Sequence, residues 1–392
     1  MTICVLNTGS VQSINRTIAI SKYASIVCFI ETGRLTENHK ILQENGIFVH
    51  SLQHKGFKAL AIAKFLKKIN ADIYLCFYAS GVHVDACLYA GKKRIVIVAM
   101  GSDILEPDRG IISKRKIIYG LKKASMISAK SKDIIDNISL LKIETESYLN
   151  YWGLDIKSFS EISKSSSRKL LDLPERGKIL LSPRAFHKLY NIELIAKAFF
   201  ELNKITDDLY FVFIGRETDI TYTEKIKAIF NNELKGNYRI DGEVPDERVK
   251  YYYRASDIVY SFAERDGFPN TALETAASKT NLICGEIDNL KNSFLKNNDN
   301  VLFAKFSIND IVEKTKLILK DPVYAEKLRE NAFGSVLNHG DITINAKEVV
   351  LEMETCPVKN KHFPLTLFFY DIISIISRFI NPKRYFNKFL NH

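Results

Sequence analysis

Short apolar runs alternate with amphipathic ones along the chain. Runs at 2–6, 25–30, 47–51, 72–77, 94–100, 126–128 and 147–151 have the length and content of buried strands. Between them, near 13–23, 36–45, 56–70, 80–91, 111–124 and 131–140, apolar residues recur at helical spacing. The pattern then fails at 157–177, which is polar and serine-rich and reads as a linker. A second alternation follows, with strands at 178–182, 210–214, 238–241, 257–261, 281–284 and 301–303. Its helices fall near 190–203, 222–233, 246–254, 269–278, 308–319, 321–338 and 341–354. Strand–helix alternation of this kind predicts an α/β protein with two mainly parallel sheets, each covered by helices on both faces. The expected domains are 1–160 and 178–355, joined by a linker at 161–177 and followed by an amphipathic helix and tail at 356–392. Two such domains around a linker are expected to make a cleft suited to a substrate pair.

In parallel sheets ligands collect at the carboxyl ends of strands. Three loops at such ends carry candidate chemistry. After the run at 257–261 come Asp266, Gly267, Phe268, Pro269, Asn270 and Thr271, then helical spacing at Leu273, Ala276 and Ala277. Pro269 suits the first helical position, where its missing amide has no partner to lose. A glycine-containing loop that opens a helix presents free N–H groups at the positive end of a dipole, a ready anion site. Glu274, one turn in, is placed to meet a sugar or ribose hydroxyl. The other two loops are 7–10, which contains Gly9, and 101–103, which contains Asp103.

At 392 residues, 46% hydrophobic and 26% charged, the chain has room for two or three globular domains and is not disordered in composition. The six cysteines are scattered without a CxxC pair, so reduced, buried thiols and a cytosolic setting are expected, with neither a disulfide framework nor a zinc site. The first residues enter a strand-like run directly, which argues against a secretory leader, and no apolar run reaches about 18 residues, the minimum for a spanning helix. Net charge is +11, and residues 109–132 hold eight Lys or Arg and no acid. Such a patch suits an anionic lipid surface or a polyanionic substrate; no nucleic-acid-binding signature accompanies it. In the tail at 363–392, Tyr370, Asp371, Ser374, Ser377, Arg378 and Asn381 share one helical stripe, and a basic-aromatic segment follows. The tail is therefore either a closing helix packed on the body or an interfacial membrane anchor.

Five segments in order resemble the family-4 glycosyltransferases. They are Gly101-Ser102-Asp103, YWGLD with Phe159, SPRAFHKLYNIELIAKAF, DGEVPDERVKYYYRASDIVYS, and the loop from Ser261 to Gly285. The resemblance implies the GT-B fold, with two facing Rossmann-like doubly wound domains, a C-terminal closing helix, and a nucleotide-diphosphate sugar held by the second domain. Carried over by position, Arg184 and Lys188 would hold the diphosphate and Glu243 and Val244 would flank the nucleobase. Asp266 would sit by the donor sugar, Gly267 to Thr271 would offer backbone amides, and Glu274 would grip the ribose. Fixed cations and amides aimed at a departing phosphate lower the barrier electrostatically. No acidic pair of the DxD type stands in a convincing loop, so neither a metal nor another cofactor is expected.

The chain departs from the family pattern in three places. The spaced glutamates appear as Asp266 and Glu274, eight positions apart, with Glu264 as the second choice for the first acid. Arg184 and Lys188 stand closer together than usual. Met100 occupies the position of a family histidine, so its sugar contact is either lost or supplied by His83 or Asp103. Asp103 is counted with the catalytic candidates, although capping the next helix is an equal alternative.

The activity implied is retaining transfer of a hexose-type sugar to a hydroxyl acceptor. The basic patch and tail favour a lipid-linked oligosaccharide or surface-polysaccharide precursor at the cytosolic membrane face. Another GT-B enzyme (an epimerase or phosphorylase) and a non-catalytic nucleotide-sugar-binding homologue remain as alternatives.

Overall fold

The computed structural model describes residues 1–380 apart from 8–9, 34, 53–56, 80, 106–109, 207, 234–236 and 360–363, with backbone alone for 232–233 and 375–380. It divides into two compact units, Met1–Trp152 with Ile342–Asn391, and Gly153–Asp341.

The first unit is built on seven strands: β1 (Thr2–Asn7), β2 (Ser25–Glu31), β3 (Val49–Ser51), β4 (Ile73–Phe77), β5 (Ile95–Ala99), β6 (Met126–Ala129) and β7 (Ser147–Leu149). They pair in parallel in the order β3-β2-β1-β4-β5-β6-β7. Along β1, Cys4 and Leu6 enter one core while Ile3 and Val5 enter another on the opposite face. A strand covered on both faces has no polar side to show, which is why it reads as a continuous apolar run. All six cysteines are buried thiols, and none is in a disulfide.

The second unit carries β8 (Lys178–Ser182), β9 (Leu209–Ile214), β10 (Tyr238–Gly242), β11 (Ile258–Ser261), β12 (Asn281–Gly285) and β13 (Leu302–Ala304). These are also parallel, in the order β10-β9-β8-β11-β12-β13. Every expected strand forms, with ends moved by no more than a residue or two, the usual ambiguity of strand and helix boundaries.

Two expectations about domain organisation fail. Residues 161–177 are not a free linker, because the helix Lys164–Leu170 docks on the second unit. Arg168 is buried there and donates to the carbonyls of Ala255 at 3.0 Å and Glu175 at 2.9 Å and to Asp257 at 2.8 Å. Lys164 reaches the other oxygen of Asp257 at 2.7 Å. Burial opposes the Asp257 charge, but Lys164 and the Ile179 amide more than offset it and hold the carboxyl below its ordinary range. This segment is held by ion pairs and by Ser163, which caps the helix at the Ser166 amide, so it shows no apolar periodicity to read.

The helix Ile342–Thr355, expected in the second domain, belongs to the first unit. Its Ala346, Val349, Val350 and Met353 share a core with Ile14 and Trp152. Arg94 donates to the carbonyl of Met353 at 2.6 Å. An apolar helix face announces burial but not the sheet it will cover. The helix Leu365–Ile380 packs on the same unit through Leu367 and Asp371, so Asp371 faces inward. The basic-aromatic tail at 381–392 lies outside the described residues.

Candidate active site

In the second unit the chain leaves β8 toward β9 on one side and leaves β11 toward β12 on the other. Loops diverge at such a switch point and open a crevice at the carboxyl ends of the two strands. Arg184 follows β8 and Asp266 follows β11. Arg184 donates through one Nη to Asp266 Oδ2 at 2.7 Å and through the other to Thr271 Oγ1 at 3.3 Å. Its guanidinium lies 4.2 Å from the centre of the Tyr190 ring. The pair is largely enclosed, with side-chain exposures of 14% for Arg184 and 21% for Asp266. Burial works against the arginine's charge; Asp266 and then Tyr190 outweigh it and raise its pKa.

The backbone here is shaped by Gly215, just past β9. Its φ is +142°, and a Cβ there would stand 2.5 Å from the Arg184 carbonyl oxygen. Only glycine tolerates both that conformation and that approach. The Phe186 amide then donates to the Arg216 carbonyl at 2.9 Å, fixing the Arg184 segment against the end of β9.

The loop after β11 is anchored from below. Phe268 is buried, with its ring 5.1 Å from Phe294, and Phe294 stacks on His339 at 5.1 Å. The Asn289 amide donates to the Asp266 carbonyl at 2.6 Å. Pro269 is the N-cap of the helix Asn270–Ala277, so the helix starts one residue later than expected. The side chain of Phe268 is thus core, and what the loop can offer a ligand is backbone. Glu274 is half-buried, and its carboxylate hydrogen-bonds the hydroxyl of buried Tyr253, which also meets Thr271. Burial, reinforced by the Glu274 charge, raises the Tyr253 pKa well above the ordinary phenol value.

The remaining candidates are more peripheral. Glu243 is exposed and forks onto Arg216 at 2.7 and 3.1 Å, and that hydrogen bonding lowers its pKa. Val244 beside it is half-buried. Lys188 sits exposed on the short turn Lys188–Tyr190. Lys188 and Glu264 both line an open cavity of about 570 Å³ with Asn191, Lys197 and Lys225. The last two lysines of that cavity are already paired to Glu193 at 2.7 Å. Of its cations Lys188 is therefore the one not drawn onto Glu193, and the enclosed ion pair is the one at Arg184. The side chain of Glu264 is exposed, and Asp266 is the acid that meets the arginine.

The first unit corrects two expectations. Asp103 is 1% exposed, and its oxygens accept from the backbone amides of Ala79 at 2.7 Å, Gly101 at 2.8 Å and Met100 at 3.0 Å. Burial raises its pKa against those bonds. From inside the short helix Ser102–Leu105 it ties the ends of β4 and β5 together with both oxygens, so it neither caps the next helix nor meets a substrate. His83 is also buried, held between Thr32 Oγ1 at 2.7 Å and the Phe77 carbonyl at 3.2 Å. Burial, aided by Lys58, pulls its pKa down to about 4, so it is a neutral core residue. Neither replaces the histidine that Met100 stands for. Met100 Sδ instead accepts from Arg16 at 3.4 Å. Arg16 is buried beneath Trp152, and burial draws its pKa down to about 9. Gly9 lies outside the described residues.

Four contributors had no sequence signal: Tyr190, Tyr253, Gly215 and Arg216. Tyr253, Gly215 and Arg216 act through neighbours distant in the chain, and Tyr190 acts on Arg184 across a single loop.

Residues 163–334 match the family model described as glycosyl transferases group 1, and residues 3–131 match the one described as glycosyl transferase 4-like. A comparison with curated protein sequences gives no match. Among solved structures, the chain is similar to the Anabaena protein HepE in complex with UDP and glucose, with a TM-score of 0.78 at 13% identity over 91% of this chain and 100% of that one. It is similar to a glycosyltransferase from Rickettsia africae, with a TM-score of 0.75 at 19% identity over 90% and 97%. The sucrose-phosphate synthase of Thermosynechococcus elongatus gives 0.72 at 13% over 90% and 98%.

Proposed function

We propose a reaction for a chain that is a glycosyltransferase of the family-4 type with the GT-B fold. It transfers a hexose-type sugar, with retention, from a nucleotide-diphosphate sugar to a hydroxyl of a lipid-linked oligosaccharide or surface-polysaccharide precursor at the cytosolic membrane face. The observation that carries this reading is the meeting of Arg184, Asp266, Thr271 and Glu274 at one switch point. The diphosphate binds Arg184 in competition with Asp266, and Lys188 supplies a second cation. The amides of Gly267, Phe268, Asn270 and Thr271 face the phosphate and sugar at a helix start. Glu274, held by Tyr253, accepts from the ribose hydroxyls, and Glu243 and Val244 border the base.

The bond from the anomeric carbon to phosphate oxygen breaks as the acceptor oxygen attacks from the same face. The released phosphate takes the acceptor's proton, so retention needs no protein nucleophile. Negative charge grows on that phosphate, where Arg184 and the amides stabilise it without a metal ion.

The test is thermal stabilisation and nucleotide release with a panel of UDP- and GDP-sugars, since selective binding to the folded state raises its melting temperature. The UDP and glucose bound by HepE make UDP-glucose the first donor to try. Donor binding without nucleotide release, even with a membrane extract as acceptor, would leave only a sugar-nucleotide binding protein. Unchanged binding by Glu274→Ala would sink the ribose assignment.

A further inference from the structure

The helix Leu365–Ile380 is docked on the first unit with its charge inward and an apolar stripe outward. Asp371 accepts from Lys116 at 2.6 Å and from the Tyr89 hydroxyl at 2.5 Å, and Lys116 also meets Asp85 at 2.7 Å. Leu367 is fully buried beside this cluster of polar groups. On the other side Leu365 is 63% exposed, Phe369 61% and Ile373 46%. Spacing of four residues places these three one above another on a single face. A surface helix of a globular protein ordinarily turns that face to the core.

The rotation is imposed by Asp371, because breaking a mostly buried pair leaves charges uncompensated. The apolar stripe is therefore held outward. The neighbouring helix Ile111–Lys123 exposes Lys114, Arg115, Lys122 and Lys123, along with Ile111. Among the described residues no helix is long and apolar enough to cross a membrane.

We propose that this face docks on an anionic lipid surface, with Leu365, Phe369 and Ile373 entering the interface and the lysines of Ile111–Lys123 meeting the headgroups. Apolar insertion and basic side chains act together at such interfaces, each basic group adding about five-fold in affinity at low salt. The inference rests on the reading of a membrane-presented acceptor and gives it a docking face.

The test is sedimentation of the full chain with vesicles of phosphatidylcholine, alone or with phosphatidylglycerol. Binding is expected only to the mixed vesicles and should weaken with salt. Phe369→Ser with Ile373→Ser should weaken it by at least about ten-fold, since each exposed side chain contributes little until buried. Lys122→Glu with Lys123→Glu should do the same, and neither pair should change the melting temperature or donor-dependent nucleotide release. Equal binding by these variants, or no binding by the parent, overturns the proposal. So does a parent dimer that the Phe369 variant converts to monomer, because a second copy then covers the stripe. Vesicle binding requires neither donor nor acceptor, so its failure is distinguishable from failure of the proposed reaction.

Discussion

Replacing Arg184 by alanine removes the cation on which the proposed reaction depends, and the structure sets the scale of the loss. In the resting site the guanidinium is tied to Asp266 at 2.7 Å and to Thr271 at 3.3 Å, and it rests on Tyr190. Breaking a fully buried ion pair costs about 3–5 kcal/mol. Both partners here keep some solvent contact, at 14% and 21% exposure, so a stability cost of about 1–2 kcal/mol is expected. The catalytic cost is separate. Removing one donor aimed at developing charge costs about 2.7–4 kcal/mol, or roughly 10²–10³ in kcat. KM should move less, because the missing interaction strengthens as the leaving phosphate gains charge. Arg184→Lys keeps the charge but loses the fork and the flat stacking on Tyr190, so an intermediate loss is expected. The assay is steady-state nucleotide release with the best donor of the panel, with thermal melts to separate folding from chemistry. A folded Arg184→Ala enzyme with kcat within about three-fold of the parent would refute the assignment, because one oxyanion-type contact is worth far more.

Tyr253→Phe removes the hydroxyl that holds Glu274 and should raise donor KM about ten-fold with little change in kcat; unchanged nucleotide affinity by titration calorimetry would show that Glu274 positions itself. Gly215→Ala places a Cβ 2.5 Å from the Arg184 carbonyl at φ +142°, so the melt should reveal a loss of about 2–4 kcal/mol with kcat falling alongside. A stable, fully active Gly215→Ala protein would mean that the close approach to Arg184 relaxes at no cost. The buried His83 predicts a pH dependence. Its pKa falls from 6.5 to about 4 on folding, so its contribution is complete above 6.5 and is lost as pH falls toward 4. Over that window the unfolded chain binds the extra proton, and the loss approaches about 3 kcal/mol. Asp85, raised by burial to about 6, works the other way by gaining stability as pH falls, so His83→Gln should make the acid limb of the stability curve shallower. An acid limb unchanged by His83→Gln would contradict the buried, neutral histidine.

Much of this protein was legible locally. Strands covered on both faces are apolar without interruption, and strand spacing with intervening helices leaves few topologies besides parallel sheets. The Asp266–Glu274 spacing was legible for the same reason, since loop and helix are contiguous. The helix Lys164–Leu170 was not, because its docking depends on Arg168 and Lys164 converging on Asp257, and polar anchors leave no hydropathy signal. The return of Ile342–Thr355 to the first unit was not legible either, since periodicity reports which face is buried and not what buries it.

The sequence alone therefore determined the strands, their order, the fold class and the loop that opens Asn270–Ala277, all consequences of interactions a few residues apart. Tertiary structure decided which acid meets Arg184, which tyrosine holds Glu274, that Asp103 and His83 are internal, and that Asp371 turns an apolar stripe outward. Each of those outcomes depends on the distance between groups far apart in the chain. That distance is set only when whole sheets and helices pack.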